Sequence, residues 1–294
     1  MHISTPGTLR RIVAAALISV SLLTVAACSS SDDSNDAAES SDAANAITVT
    51  ATEFSFAVSE GTLAPGTNSI TFRNDGQQVH HLQLVQLLEG KTVDDLTAVL
   101  PTAETEGFPT WMHFAGGVGQ VAPGGSGTIV ADIAEGNYVF LCFVPDTDGA
   151  PHFAKGMIAA LSTEGEASTA AIPDAAVTIK AIDYGFEAPA SVKAGENVVI
   201  ELDNAGSELH EVNVVKLAEG ATVETFLAGL TPGATEPPPG IPVGGLQGIL
   251  PGASQRGTLN LEAGNYLLIC YIPNAEGAPH FALGMAQPLE VTAE

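Results

Sequence analysis

The chain repeats itself, and this repeat constrains its fold more than any other feature. Residues 46–56 (AITVTATEFSF) correspond to residues 176–186 (AVTIKAIDYGF), and GNYVFLC at 136–142 corresponds to GNYLLIC at 264–270. The offset between the copies falls from 130 to 128 residues, so the second copy has lost two residues in its middle. A repeat of this length is a duplicated domain, because the units of solenoid proteins are much shorter.

The repeat divides the 294 residues into two domains. We expect domain 1 at 46–162 and domain 2 at 176–292, with a small and polar linker at 163–175. Each copy has short apolar, β-branched runs separated by Gly, Pro and Asn turns, which is typical of a Greek-key β-sandwich. The predicted fold is all-β, with two tandem Greek-key sandwich domains. One short helix is expected in each copy, capped by Thr92 before DDLTAVL and by Thr222 before ETFLAGL.

The N-terminus carries an export signal. Residues 1–27 place Arg10 and Arg11 before an apolar run, which is short for a membrane span, and end in small residues. The letters VAAC, ending at Cys28, resemble the lipobox of bacterial lipoproteins. The resemblance implies a lipoprotein signal peptide, cleavage before Cys28 and a lipid on its sulfur. The alternative is an ordinary secretory peptide that leaves Cys28 as a free thiol.

The chain is strongly acidic, both in the segment after the export signal and as a whole. Residues 28–45 are small, polar and acidic, so we expect a disordered acidic tether between the lipid and domain 1. The whole chain has 34 acidic residues against 9 basic ones and a net charge of −25. Such a surface repels nucleic acid and attracts cations or a basic protein, although solubility alone also explains it. No nucleic-acid partner is expected.

Each copy also carries a cysteine, a histidine and a methionine at one spacing. Cys142 ends an apolar strand, His152 follows after nine residues and Met157 after four more. The second copy has the same order in Cys270, His280 and Met285. Thiolate, imidazole and thioether together suit copper, and a second imidazole would complete a trigonal site with a weak axial Met.

The second imidazole is predicted on an earlier strand. Side chains alternate along a strand, so His80 in VHHLQLV and His210 in LHEVNVV point the same way as their aliphatic neighbours, toward the core. We therefore predict both as metal ligands. His81 corresponds to Glu211 and is expected to face solvent. His113 has no counterpart in the second copy and is expected to be a loop histidine.

The pattern resembles the blue copper proteins, the cupredoxins of the plastocyanin and azurin kind. The resemblance rests on Asn74 to His80, GNYVFLC, His152 and the Gly-Met pair at 156–157, and it recurs in the second copy. It implies cupredoxin-like domains that bind copper (Cu+/Cu2+), one ion in each domain and two in each chain. The implied ligands are His80, Cys142, His152 and Met157, and then His210, Cys270, His280 and Met285. The Cys-to-His loop is longer than in small electron carriers and closer to that of larger copper oxidases and nitrite reductases.

Electron transfer is the function that this pattern favours. Rigidly held ligands change little between two oxidation states. Pro151 and Phe153, or Pro279 and Phe281 in the second copy, are expected to form an apolar rim on which redox partner proteins dock. The protein would be extracytoplasmic and anchored to the cell membrane through the lipid on Cys28. A copper carrier or storage protein is the alternative. It would need exposed and exchangeable ligands, and the chain has no Met- or His-rich tail.

Three other interpretations fit less well. An enzyme is not expected, because copper oxidases and nitrite reductases carry a further His beside the blue copper Cys, where this chain has Leu141 and Ile269. A disulfide between Cys142 and Cys270 is a second alternative, since the compartment is oxidising. A metal-free adhesion module is the third, although it would not need Cys, His and Met in register in both copies.

Overall fold

Two β-sheets form the frame of the protein, whose computed structural model describes residues 43–293. The first repeat contains β1 (Asn45–Thr52), β2 (Ser55–Glu60), β3 (Gly66–Asn74), β4 (His80–Leu87), α1 (Val93–Glu106), β5 (Met112–Val121), β6 (Ser126–Ile133), β7 (Asn137–Leu141), a 3₁₀ turn (His152–Lys155) and β8 (Ile158–Ser162). The second contains β9 (Val177–Ile182), β10 (Gly185–Glu187), β11 (Ser191–Lys193), β12 (Gly195–Asn204), β13 (His210–Leu217), α2 (Val223–Gly229), β14 (Gly240–Ile249), β15 (Ser254–Leu261), β16 (Gly264–Ile269), a 3₁₀ turn (His280–Leu283) and β17 (Ala286–Thr292).

Both sheets run from one repeat into the other. The eight-stranded sheet has the order β10-β9-β12-β15-β6-β3-β1-β2, and the nine-stranded sheet has the order β11-β17-β16-β13-β14-β5-β4-β7-β8. At the junction β6 pairs with β15, and β5 pairs with β14 with Val118 opposite Leu246. The predicted all-β class with two tandem sandwich repeats is confirmed, and the repeats share continuous sheets.

The core lies between the sheets and places the site-bearing strands. Strand β7 is buried on both faces, as predicted. Tyr138, Phe140 and Cys142 lie in the main core, while Val139 and Leu141 pack in a second cluster with residues of α1. A cysteine at the end of such a strand is held on both sides by packed side chains.

The helices begin where the sequence predicts. Thr92 Oγ1 accepts a hydrogen bond from Asp95 N, and the Asp95 carboxylate accepts one from Thr92 N. Thr222 and Thr225 form the same capping box at α2. Helix α1 continues through Pro101 to Glu106, well beyond DDLTAVL. Its leucines are buried in the second cluster, so the helix covers the outer face of the sheet.

Residues 163–175 form no helix or strand and lie against the first repeat. Ser168 O accepts a hydrogen bond from Thr67 N at 3.2 Å, and Ser168 Oγ donates to Ala43 O at 2.8 Å. The predicted domain limits stay a prediction. The signal peptide, Cys28 and all but the last three residues of the tether lie outside the described residues. No helix within residues 43–293 is long and apolar enough to cross a membrane.

Candidate metal centres

The first centre collects side chains from three parts of the first repeat. His80 begins β4, Cys142 follows β7, and His152 begins the 3₁₀ turn. Cys142 Sγ lies 3.5 Å from His152 Nδ1 and 4.0 Å from His80 Nδ1, and the two Nδ1 atoms are 3.0 Å apart. All three residues are fully buried. The structure thus brings together three of the four residues predicted to bind the first metal ion.

The second centre repeats this geometry. His210 Nδ1 lies 3.2 Å from His280 Nδ1, and Cys270 Sγ lies 3.5 Å from His280 Nδ1. In each centre the three candidate ligand atoms lie within 4.8 Å of one another, and again all three residues are fully buried. Within the described residues Cys142 and Cys270 are both free, so the alternative of a disulfide between them is not realised.

The outer nitrogen of each imidazole faces an oxygen acceptor. His80 Nε2 lies 3.4 Å from Glu53 Oε1, and His152 Nε2 lies 3.3 Å from Gln78 Oε1. In the second centre the corresponding distances are 2.7 Å to Asp183 Oδ1 and 3.0 Å to Glu208 Oε2, from His210 and His280 respectively. A carboxylate or amide oxygen can only accept, so each of these Nε2 atoms carries a proton.

Two imidazole lone pairs and one sulfur therefore converge in the first centre. Burial lowers the pKa of His80, and it lowers the pKa of His152 to about 4, so both rings are neutral at pH 7. Facing lone pairs repel unless a cation lies between them. Two imidazoles and a thiolate with oxygen acceptors behind them form a donor set that fits copper.

The cysteines are protonated as long as no cation is bound. Burial raises the pKa of the Cys142 thiol to about 12 and raises the pKa of Cys270 well above its ordinary range. Only the thiolate binds a metal, so binding has to displace this proton.

The methionines lie in the same core as the cysteines. Met157 and Met285 are fully buried and belong to the main core cluster. Met157 N donates to His152 O at 3.1 Å, and Met285 N donates to His280 O at 3.0 Å, so each methionine is tied to the turn that carries the histidine. Their role as axial ligands stays a prediction.

A turn that contains a glycine lies directly against the histidine at the start of β4, and the same holds at β13. Asn74 Nδ2 donates to Gln78 O and Val121 O, and Asn74 Oδ1 accepts from Gly76 N, which fixes the turn before His80. A side chain at Gly76 would place its Cβ 3.0 Å from His80 Nε2 and 2.5 Å from Glu53 Oε1. The turn can approach the imidazole this closely only with glycine.

The sequence reasoning missed the acceptors behind the imidazoles. Glu53 and Asp183 occupy equivalent positions in the two repeats. Gln78 and Glu208 are also equivalent, and each lies two residues before the histidine that begins β4 or β13. An acidic residue at the same position in both copies was the available signal. The centres also differ, because the first has one carboxylate and one amide behind its histidines, while the second has two carboxylates.

The expectation that His81 faces solvent is wrong. His81 is only 5% exposed, and its Nε2 accepts a hydrogen bond from Phe143 N at 2.7 Å. Its counterpart Glu211 accepts from Tyr271 N at 2.9 Å and is equally buried. Alternation assigns these residues correctly to the outer face of the sheet. That face is covered by side chains of both repeats, so it does not meet solvent.

Two smaller expectations are also corrected. His113 lies on β5 opposite Gln86 and is exposed, so it is a strand residue and not a loop residue. Phe153 forms no exposed apolar rim, because it is buried and packs edge-on against Phe143 with ring centroids 5.3 Å apart. The exposed apolar residue near the histidine turns is Leu283, in the second repeat.

Comparison with known proteins returns blue copper proteins, the resemblance that the sequence indicated. A reduced auracyanin from the photosynthetic bacterium Roseiflexus castenholzii is 26% identical, matches 42% of this chain and 99% of its own, and gives a TM-score of 0.32. A multicopper oxidase is 18% identical over 84% of this chain and 88% of its own, with a TM-score of 0.23. No protein-family profile matches the chain, and no curated protein matches it.

The expectation that the chain is not an enzyme is corrected by these comparisons. Besides the oxidase, a copper-containing nitrite reductase from Thermus scotoductus matches 84% of this chain and 61% of its own, with 13% identity and a TM-score of 0.25. Both are enzymes, and both extend across the two repeats. The expectation that the chain is not an enzyme is therefore not supported.

Proposed function

We propose that this chain is a copper protein of the blue copper type that transfers electrons, with one mononuclear site in each repeat. When bound, copper supplies a one-electron couple between Cu(I) and Cu(II). His80, Cys142 and His152 would hold the ion in the first repeat, with Met157 as the axial ligand. The second repeat would use His210, Cys270, His280 and Met285.

The observation that carries this proposal is the burial of the ligands. All six His and Cys side chains have no exposed surface, and each imidazole is fixed from behind by a hydrogen-bond acceptor. An electron can leave such a closed site without any movement of the protein, whereas a metal ion cannot. A carrier or storage protein has to release its ion, so the closed centres favour electron transfer over that alternative.

The setting of the protein is part of the proposal. We infer an extracytoplasmic location with a lipid on Cys28 as the anchor, on the basis of the export signal and the lipobox-like sequence. The partner would be a redox protein on the same side of the membrane. A net charge of −25 favours a partner with a basic docking surface.

To test the proposal, the full chain is loaded with Cu(II). The number of copper ions in each chain and the intensity of the thiolate-to-copper absorption band are then measured. We expect two ions in each chain, a loss of about half the band in Cys142→Ser or Cys270→Ser, and no band in the double variant. Reduction and reoxidation in the presence of a Cu(I) chelator should proceed without loss of copper. Rapid transfer of copper to the chelator would favour the carrier, and a chain that binds no copper would refute both functions.

A further inference from the structure

A large cleft lies on the outer face of the nine-stranded sheet, where the two repeats meet. Its volume is about 1050 Å³, and its lining includes residues of β4 and β5 in the first repeat, residues of β13, β14 and α2 in the second, and the loops beside them. Sites for small molecules commonly have volumes of roughly 300–1,000 Å³, so this interrepeat cleft is large enough for one such molecule. It lies on the side of the sheet opposite to the core-facing histidines His80 and His210.

Aromatic rings form much of the wall of the interrepeat cleft. Only 5% of the residues in this chain are aromatic, yet five of them line this cleft. They are Phe108, Phe114, Phe143, Phe226 and Tyr271. Leu209, Val215 and Leu230 complete the apolar surface. Such walls favour a flat and apolar occupant.

Polar side chains also line the interrepeat cleft, and two of them contain a nitrogen atom without a hydrogen-bond partner. His81 and Gln247 line the cleft and are 5% and 1% exposed. Within residues 43–293, His81 Nδ1 and Gln247 Nε2 make no hydrogen bond. The Gln247 side chain also interacts with the Glu211 carboxyl group and lowers its pKa. Burial is the larger effect on Glu211 and raises its pKa to about 7.

Both unpartnered groups are donors. His81 Nε2 accepts the hydrogen bond from Phe143 N, so the proton of the neutral imidazole lies on Nδ1. Gln247 Nε2 is an amide nitrogen with two hydrogens. Buried donors without acceptors are rare in folded proteins, because each costs its lost hydration. An occupant that brings an acceptor oxygen would remove this cost.

We propose that the interrepeat cleft binds one small apolar molecule whose planar ring carries a carbonyl oxygen, the chemistry of a quinone. One carbonyl oxygen would accept a hydrogen bond from His81 Nδ1 and the oxygen at the opposite end of the ring would accept one from Gln247 Nε2, with the ring among the aromatic side chains. His81 and Glu211 are themselves bonded to Phe143 N and Tyr271 N, which directly follow Cys142 and Cys270. The occupant would therefore lie beside the peptide groups next to both cysteines.

The test is calorimetric titration of the metal-free full chain with a naphthoquinone that carries methyl groups at both positions next to its carbonyls. These methyl groups prevent the probe from adding to thiols. The matched probe is the dimethylnaphthalene of the same outline, which has no oxygen. We expect one molecule of the quinone to bind, at least about tenfold more tightly than the hydrocarbon, since one hydrogen bond to a buried donor is worth that much.

Variants then locate the binding. Gln247→Leu is expected to lower the quinone affinity about tenfold and to leave the hydrocarbon affinity unchanged. Gln86→Leu, on β4 outside the cleft, is the matched control and should change neither. Gln247→Met serves as a second variant of similar shape if the leucine does not pack.

The outcomes separate this inference from the copper proposal. The quinone should bind equally well to the Cys142→Ser, Cys270→Ser double variant, so a failure of copper binding leaves the inference intact. Three results would each overturn it. They are no binding of the quinone, equal binding of the hydrocarbon, and an unchanged quinone affinity in both Gln247 variants.

Discussion

At the scale of single residues, the two centres differ in the acceptor that faces Nε2 of the histidine at the start of the 3₁₀ turn. Gln78 faces His152 in the first centre, while Glu208 faces His280 in the second. An anion near a metal ion favours its higher charge, so the extra carboxylate should stabilise Cu(II) over Cu(I) in the second centre. The second centre is therefore expected to have the lower reduction potential.

Exchange of these two residues tests this difference. Glu208→Gln should raise the potential of the second centre, and Gln78→Glu should lower that of the first. Potentiometric titration of each single-centre variant, with the other cysteine changed to serine, measures both values. Glu196→Gln, an exposed carboxylate on β12 away from the centres, is the control and should change neither. If the potentials are equal and do not respond, the assigned role of this contact is wrong.

The cysteine thiols predict how copper binding depends on pH. Burial raises the pKa of Cys142 to about 12, lowers the pKa of His152 to about 4 and also lowers the pKa of His80, so at neutral pH the free first site holds one displaceable proton, on the thiol. Copper binding should release one proton per centre at neutral pH, and the affinity should fall about tenfold for each unit by which pH decreases.

Competition with a chelator of known affinity between pH 6 and pH 8, together with calorimetry in buffers of different ionisation heat, measures this release. Cys142→Ser lacks the thiol and should lose the proton release that belongs to the first centre. An affinity that does not change with pH would mean that the thiol is already ionised in the metal-free chain.

The sequence predicts which His and Cys residues lie together in each centre, but not the residues behind them. The six His and Cys residues of the centres were found because two copies keep the same spacing. Glu53 reaches His80 from the turn between β1 and β2, a contact that only the folded chain creates. His81 shows the same limit, because alternation along a strand gives the face of a side chain but not what covers that face.

At the scale of elements, β5 depends on a glycine where it passes β4. Gly117 has φ +146°, and a Cβ there would overlap the carbonyl oxygen of Leu82 on the neighbouring strand. The register between these strands shifts at this point. Because β4 begins with His80, a displaced β5 would also disturb the first metal centre.

Gly117→Ala is therefore expected to destabilise the protein by at least about 3 kcal/mol, measured by denaturant unfolding. The control is Gly124→Ala, where φ is +77° but nothing lies within 4 Å of the added carbon. This variant carries only the cost of a left-handed backbone, about 1–2 kcal/mol. Equal losses of stability in the two variants would contradict the predicted clash.

Element starts were easier to predict than element ends. Thr92 and Thr222 cap their helices through atoms within the next three residues, so local sequence suffices. The end of α1 depends on tertiary packing, since Leu100 and Ala103 are buried on either side of Pro101. The proline removes one hydrogen bond from the helix, but the packing keeps it continuous.

At the scale of the whole molecule, the sequence predicts the duplication but not the continuity of the two sheets across the repeats. Residues of β5 and β6 pair with β14 and β15 through backbone groups, which carry no sequence signature. The two repeats share one main core cluster as well. They should therefore unfold together.

Scanning calorimetry of the metal-free full chain is expected to show one cooperative transition, with equal calorimetric and van't Hoff enthalpies. The first repeat expressed alone would expose the free edges of β5 and β6, and it should aggregate or unfold at lower temperature. Two separate transitions in the full chain would show instead that the repeats are independent.

β5 and β14 are equivalent strands of the two repeats, and they pair with each other. A symmetric dimer would pair equivalent strands in the same way, but here both strands belong to one chain. In a symmetric dimer every substitution appears twice, so both centres always change together. Here a single codon alters one centre and leaves the other as it was. The pairs Gln78 and Glu208, and His81 and Glu211, are such differences. The covalent link thus permits two unlike halves to work side by side.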